Sequence, residues 1–278
     1  MKKILSLLLV LCMVFSLAGC AEKAAPEDEA AKSEEPAQEN TENEAKEPET
    51  TMLLAAAASL KNCVDKELLP LFMEQNPTIK VNATYDSSGK LQAQIEEGAD
   101  ADVFMSAAMK QMNALDEKGL IADDSTVQLL QNKIVLIVPE GSNKEMSTFE
   151  DILKADTIAV GDPESVPAGQ YAKEALDNLG IWDQVSAKAS LGTNVTEVLN
   201  WVAEGSADAG VVYATDAASK DNVVVVAEAP EGSVSKIVYP VGMVKASKNQ
   251  DAAKLFIEFL QSEDASKIFE KYGFTPNK

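Results

Sequence analysis

Four positions, each at the start of an inferred helix, are where this chain could do chemistry: Ser59, Ser88, Ala168 and Val195. None is a catalytic residue type in a catalytic setting. What they share is the chemistry of anion binding. The first amides of a helix have no intrahelical acceptor, and the aligned peptide dipoles add about half a positive charge at that end. The stretch from Gly161 to Tyr171 shows the arrangement most fully. Asp162-Pro163 marks a turn, Pro167 suits a first helical position because its missing amide hydrogen would be orphaned there, and 168–179 reads as helix. Several such helix starts together could hold a dianion with no lysine or arginine. Singly, each is also what an ordinary strand-to-helix loop or a serine cap looks like.

Composition removes competing chemistries. The chain has no histidine, and every one of its 24 basic residues is lysine. Ser-His-Asp catalysis and imidazole metal sites are therefore excluded. So is the bidentate guanidinium that commonly grips carboxylates, which disfavours amino-acid or dicarboxylate ligands. A net charge of −21 argues against nucleic acid, which rewards clustered cations. Cys63 has no partner within the folded part and reads as a small buried helix residue.

The first 51 residues stand apart from the rest. Lys2 and Lys3 precede an apolar run over 4–17 that ends in Leu17-Ala18-Gly19-Cys20. This resembles a bacterial lipoprotein signal peptide occupying 1–19, with Cys20 as the lipidated residue of the mature chain. Residues 21–51 contain eleven acidic residues and three lysines, a net charge of −8, and no Val, Ile, Leu, Phe, Tyr or Trp. Such a segment cannot offset the entropy of ordering, so 20–51 is expected to be an acidic, disordered tether.

From residue 52 onward, strand and helix patterns alternate, the signature of an α/β architecture with largely parallel sheets. Strands are expected over 52–58, 79–85, 103–105, 133–138, 157–160, 209–213, 223–226 and 236–244. Helices are expected over 90–97, 109–118, 168–179, 195–203, 252–260 and 265–272. Ser59 reads as an N-cap, and Pro70 as a kink or restart within the helix that follows it. The runs at 209–213 and 223–226 look fully buried. Pro240 disfavours a central strand position, and the strands at 133–138 and 236–244 are candidates for two crossings between lobes with separate cores. In open α/β sheets, ligands collect outside the carboxyl ends of strands, where these helix starts would converge.

The blocks AAAASL (55–60), GADADVF (98–104), GDPESVPAGQYAKEAL (161–176), GVVY (210–213), YPV (239–241) and YGF (272–274) occur in an order that resembles the molybdate-binding proteins of ABC importers. The 161–176 block is the most specific of them. The resemblance implies a two-lobed type II periplasmic-binding fold, with lobe 1 formed by 52–136 plus 240–278 and lobe 2 by 137–239. Each lobe would be a mixed, mostly parallel sheet flanked by helices, joined by two crossing strands. It implies a monomer that is not an enzyme and needs no cofactor. Its ligand is molybdate or tungstate and its partner an ABC importer permease, with attachment to the membrane through lipid on Cys20.

Carried over by position, the ligand contacts fall on Ser59 and Ser88 through hydroxyl and backbone donors. Ala168 and Val195 contribute through backbone N–H, and Tyr213 through its hydroxyl. Molybdenum enters only as the oxyanion, with no direct protein ligand to the metal. Ser87 adjoins Ser88 as a second candidate, and Asp100 replaces the proline usual after Gly-Ala in the family. The same fold binding another tetrahedral oxyanion such as sulfate is the nearest alternative, followed by an extracellular sensor domain. A surface enzyme using Asp100 and Asp102 is a third, without an identifiable partner for either carboxylate.

Overall fold

The computed structural model describes residues 50–277; Cys20, the signal segment and almost all of the tether lie outside them. In chain order the strands are β1 (Thr50–Ala57), β2 (Ile79–Asp86), β3 (Val103–Met105), β4 (Val127–Gln131), β5 (Ile134–Pro139), β6 (Ile158–Gly161), β7 (Ala189–Gly192), β8 (Ala209–Tyr213), β9 (Val223–Glu228), β10 (Val238–Met243) and β11 (Thr275–Pro276). They form two sheets, ordered β11-β4-β10-β3-β1-β2 and β7-β6-β8-β5-β9. Helices cover both faces of the first sheet. On one side Phe72 packs edge-on against Phe256 with ring centroids 4.9 Å apart. On the other, Leu91, Ile95, Met112 and Leu115 form a second apolar layer over Ala55 and Phe104.

Three expectations change in the tertiary structure. The sheets are mixed, as expected, but not mostly parallel: β1 pairs in parallel with β2 and β3, and β6 with β7 and β8, but β10, β4, β11, β5 and β9 all join antiparallel. Four of them, β4, β5, β9 and β10, flank the two passages between sheets, where no helical crossover intervenes, and β11 is the C-terminal strand. The strands proposed as crossings each pair within a single sheet, β5 in the second and β10 in the first. The chain passes between sheets at Asn132–Lys133 and again over 229–237. The buried apolar residues of both sheets also join in one cluster, through Tyr213 and Tyr239 whose rings meet at 5.4 Å, so the cores are not separate.

Local readings shift too. Pro240 does sit in a central strand, and the ladder absorbs it by a register shift between Tyr239 and Pro240. β9 is an edge strand paired only with β5, and its Val224 and Val225 are 46% and 47% exposed, not buried. Pro70 stands in the first turn of a new α-helical segment, Leu69–Gln75, the restart expected of it. The preceding turn, Val64–Leu68, is wound as π-helix, with the Leu69 amide bonding the Val64 carbonyl, which accommodates the missing donor.

Candidate functional site

Parallel pairing sets the strand ends level. In the first sheet Ala57 is opposite Asp86, and in the second Gly161 is opposite Gly192. Each of these ends turns directly into a helix: β1 into the 3-10 turn Ala58–Leu60, β2 into Ser88–Glu96, β6 by a short loop into Pro167–Asn178, and β7 into Val195–Ala203. Gly169 lets the third of these sit down on its strand, because a Cβ there would stand 1.9 Å from the Gly161 carbonyl oxygen. The helix starts of both sheets thereby face one another across a cleft.

Ser59, Ser88, Ala168, Val195 and Tyr213, the five positions expected to form the site, line a single cavity in that cleft. Its volume is about 10 Å³, room for the centre of roughly one water-sized sphere. Ser87, Asp86, Ala107, Val166 and Pro167 complete most of the wall, and no lysine does. Asp86 is the one acid present. Its Oδ1 accepts from the Ser87 amide at 2.8 Å and lies 3.3 Å from Lys90 Nζ, so its charge is compensated locally.

The hydroxyl protons can be accounted for individually. Ser59 is not the N-cap expected from sequence; Ala57 holds that position, without a side-chain bond, and Ser59 lies within the first turn. Its Oγ is freed to meet Tyr239 OH at 3.0 Å. Asn132 Nδ2 donates to Tyr239 OH at 3.2 Å, and in the Ser59–Tyr239 bond either hydroxyl can donate, so the serine proton can be turned to the cavity when Tyr239 supplies that bond. Ser88 Oγ accepts from the Ala107 amide at 3.0 Å, which again leaves its own proton available. The neighbouring Ser87 is the helix cap, accepting from Lys90 N at 3.4 Å. Tyr213 OH donates to the Ala107 carbonyl at 3.1 Å. Burial holds both the Tyr213 and Tyr239 phenols well above their ordinary pKa, so each stays a neutral donor.

The Ala168 and Val195 amides occupy the first turns of their helices and have no acceptor among the described residues. Asn194 caps the Val195 helix by accepting from Glu197 N at 3.0 Å, leaving the Val195 amide free to point into the cavity. The donors in the wall are thus neutral N–H and O–H groups, an arrangement suited to a small anion.

Other residues of the cleft were not legible from sequence. Ala107 joins the two sheets, taking Ser88 by its amide and Tyr213 by its carbonyl. Gly89 N donates to Ser165 O at 2.9 Å, and Gln111 Nε2 to Gln170 Oε1 at 3.2 Å, so the cleft is closed by contacts between distant segments. Asn132, in the passage between sheets, bonds both Thr215 Oγ1 and Tyr239 OH. None of these has a local sequence signal. Asp100 lines no part of this cavity, and Asp102 is tied to Leu53 N, Ser247 Oγ and Asn249 Nδ2, a structural role.

Comparison with known proteins agrees with this architecture. Residues 52–275 match the family of bacterial extracellular solute-binding proteins. YvgL of Bacillus subtilis (strain 168), whose name proposes an ABC transporter substrate-binding lipoprotein, is 43% identical over 86% of this chain and 90% of its own. The molybdate-binding protein ModA of Escherichia coli (strain K12) is 40% identical over 79% of this chain and 87% of its own. Among solved structures, the Azotobacter vinelandii periplasmic molybdate-binding protein superposes with a TM-score of 0.72, covering 82% of this chain and 100% of that one at 23% identity. The fold is thus the type II periplasmic-binding fold implied by the sequence blocks. With a small cavity between its two sheets and the family match spanning nearly all described residues, the chain belongs to the bacterial extracellular solute-binding proteins, a family of binders and not of enzymes.

Proposed function

We propose that this protein captures molybdate, and tungstate with it, outside the cytoplasm and delivers it to an ABC importer. What carries the reading is the cavity wall: hydroxyl and amide donors at Ser59, Ser88, Ala168, Val195 and Tyr213, contributed by both sheets, with no lysine among them. Neutral donors in a closed, dry site stabilise a dianion at short range, while the protein's own negative charge acts from farther away and is screened over about 10 Å. The cavity's small size suits an inorganic oxyanion and excludes a sugar or amino acid. Names of relatives such as the Escherichia coli molybdate-binding protein point the same way.

Binding proceeds by closure: one lobe presents half the donors, and the oxyanion stabilises the state in which donors from both lobes engage it. Tyr213 then turns its proton from the Ala107 carbonyl to the ligand. Selectivity follows from donor geometry. Each buried donor that loses its acceptor costs about 1–3 kcal/mol, so a wall spaced for the larger tetrahedron holds sulfate loosely, and protonated phosphate brings a hydrogen that amides cannot accept. The mature protein is a monomer anchored by lipid on Cys20, the acidic tether keeping the binding domain clear of the membrane, and its docking partner is the importer's permease.

Calorimetry with molybdate, tungstate, sulfate and phosphate tests the assignment. Tight binding of the first two and weak binding of the others is expected. Sulfate binding as tightly as molybdate would defeat it and favour a general oxyanion carrier; no oxyanion binding at all would favour a sensor domain.

A further inference from the structure

One polar contact in the cleft lies outside the cavity. Gln111 projects from the helix Met109–Glu117 and is 2% exposed; Gln170 lies two residues beyond Ala168 in the helix Pro167–Asn178. They meet across the cleft, Gln111 Nε2 donating to Gln170 Oε1 at 3.2 Å. Two facing carboxamides can exchange two hydrogen bonds, yet here the complementary pair is unmade. Gln111 Oε1 and Gln170 Nε2 are both buried and have no partner among the described residues.

The balance of this contact is set by what closure removes. Apart, both carboxamides are hydrated. Together, they exchange that hydration for one neutral hydrogen bond and two buried atoms without a protein partner among the described residues. A dehydrated polar atom without a partner costs more than a neutral hydrogen bond returns, and here there are two such atoms for one bond. The contact therefore opposes the closed arrangement in which it is found.

We propose that Gln111 and Gln170 form an opening spring: a polar pair that penalises closure, so that the lobes stay shut only while a ligand holds them and part readily for release. The proposal rests on capture by closure as described above, and goes beyond it by assigning the restoring force to named side chains away from the ligand. Such a spring lowers affinity, and returns the difference as a faster dissociation rate, which suits a carrier that must surrender its cargo.

The sign of the effect distinguishes a spring from a latch. Removing one partner of a buried polar pair leaves the other wholly unsatisfied, whereas replacing both with apolar groups of similar shape removes the penalty. Gln111→Leu and Gln170→Leu should each weaken molybdate binding or leave it unchanged, while the double variant should bind about tenfold tighter and dissociate correspondingly more slowly. The double Gln→Met variant, unbranched and close to glutamine in length, repeats the test should leucine pack badly. Independently of any ligand, spin labels placed one on each lobe should report a larger closed fraction in the unliganded double variant than in wild type. A double variant that binds more weakly than wild type, or an unliganded distance distribution that is unchanged or shifted to longer distances in both double variants, overturns the proposal. Failure of the wild type to bind molybdate would sink the ligand assignment alone, since the distance measurement reads the spring without it.

Discussion

Gly89→Ala separates closure from folding. Gly89 lies in the first turn of the helix Ser88–Glu96, and its amide donates to the Ser165 carbonyl across the cleft at 2.9 Å. A methyl group on residue 89 would stand 2.4 Å from that oxygen and 2.7 Å from Ser165 Cα, both backbone atoms that cannot rotate away. Ordinary contact requires the two segments to retreat by about 1 Å, which stretches the Gly89–Ser165 bond beyond hydrogen-bonding range. The proposed contacts by which one of the two lobes would hold the oxyanion lengthen with it. At about 1 kcal/mol for a neutral hydrogen bond and 1.5–3 kcal/mol for one to a charged group, the loss is about 2–4 kcal/mol, or roughly 30- to 1000-fold in affinity. The fold itself should not suffer, because the clash exists only between lobes. Alanine is the better helix former by about 0.5–1 kcal/mol, so the unliganded variant should be as stable as wild type or slightly more so. Titration calorimetry with molybdate and thermal unfolding without it would be run on both proteins. A dissociation constant within twofold of wild type would refute the role given to this contact, and so would weaker binding accompanied by an equal loss of unliganded stability.

Two further outcomes follow from individual side chains. Ala168→Leu should fill a cavity of only about 10 Å³ and abolish molybdate binding in calorimetry, whereas Ala168→Gly, which keeps the amide, should be mild; normal binding by the leucine variant would remove this helix start from the site. Asp216 gives a pH signature, because burial raises its carboxyl from 3.8 to about 7 against a smaller lowering by the Tyr213 amide, and its Oδ2 has no partner among the described residues. With the folded pKa above the unfolded one, the folded state holds the proton longer. Stability from this group is complete below about 3.8, declines as pH rises toward 7 and is flat above, a loss on the order of 4 kcal/mol. Asp216→Asn should remove that decline, so denaturant unfolding at pH 5 and pH 8 should show a stability gain for the variant mainly at pH 8; an equal gain at both would contradict the buried-carboxyl account.

What the sequence determined is what depends on neighbours within a few positions. Apolar periodicity marked the strands that open each half and the helices Val195–Ala203 and Pro167–Asn178 to within two residues, because 3.6- and 2-residue repeats are local properties of the chain. The same locality made four positions of the cavity wall visible as helix starts, since an orphaned amide follows from where a helix begins. Tyr213 was legible only through family resemblance, because nothing around it distinguishes a site phenol from a core one. The absence of histidine and arginine excluded imidazole and guanidinium chemistry before any fold was known.

Tertiary structure decided everything that depends on which distant segments meet. It set the share of antiparallel pairing in each sheet, placed Pro240 in a central strand relieved by a register shift, and left β9 as an exposed edge, none of which valine content or a lone proline could reveal. It moved Ser59 off the cap position and gave its hydroxyl to Tyr239, 180 residues away. The Gly89–Ser165 bond and the Gln111–Gln170 contact, 59 residues apart in the latter case, arise only when two lobes approach. Local sequence prepares donors at strand ends; whether those donors converge on one point, and what resists their convergence, is a property of the closed cleft.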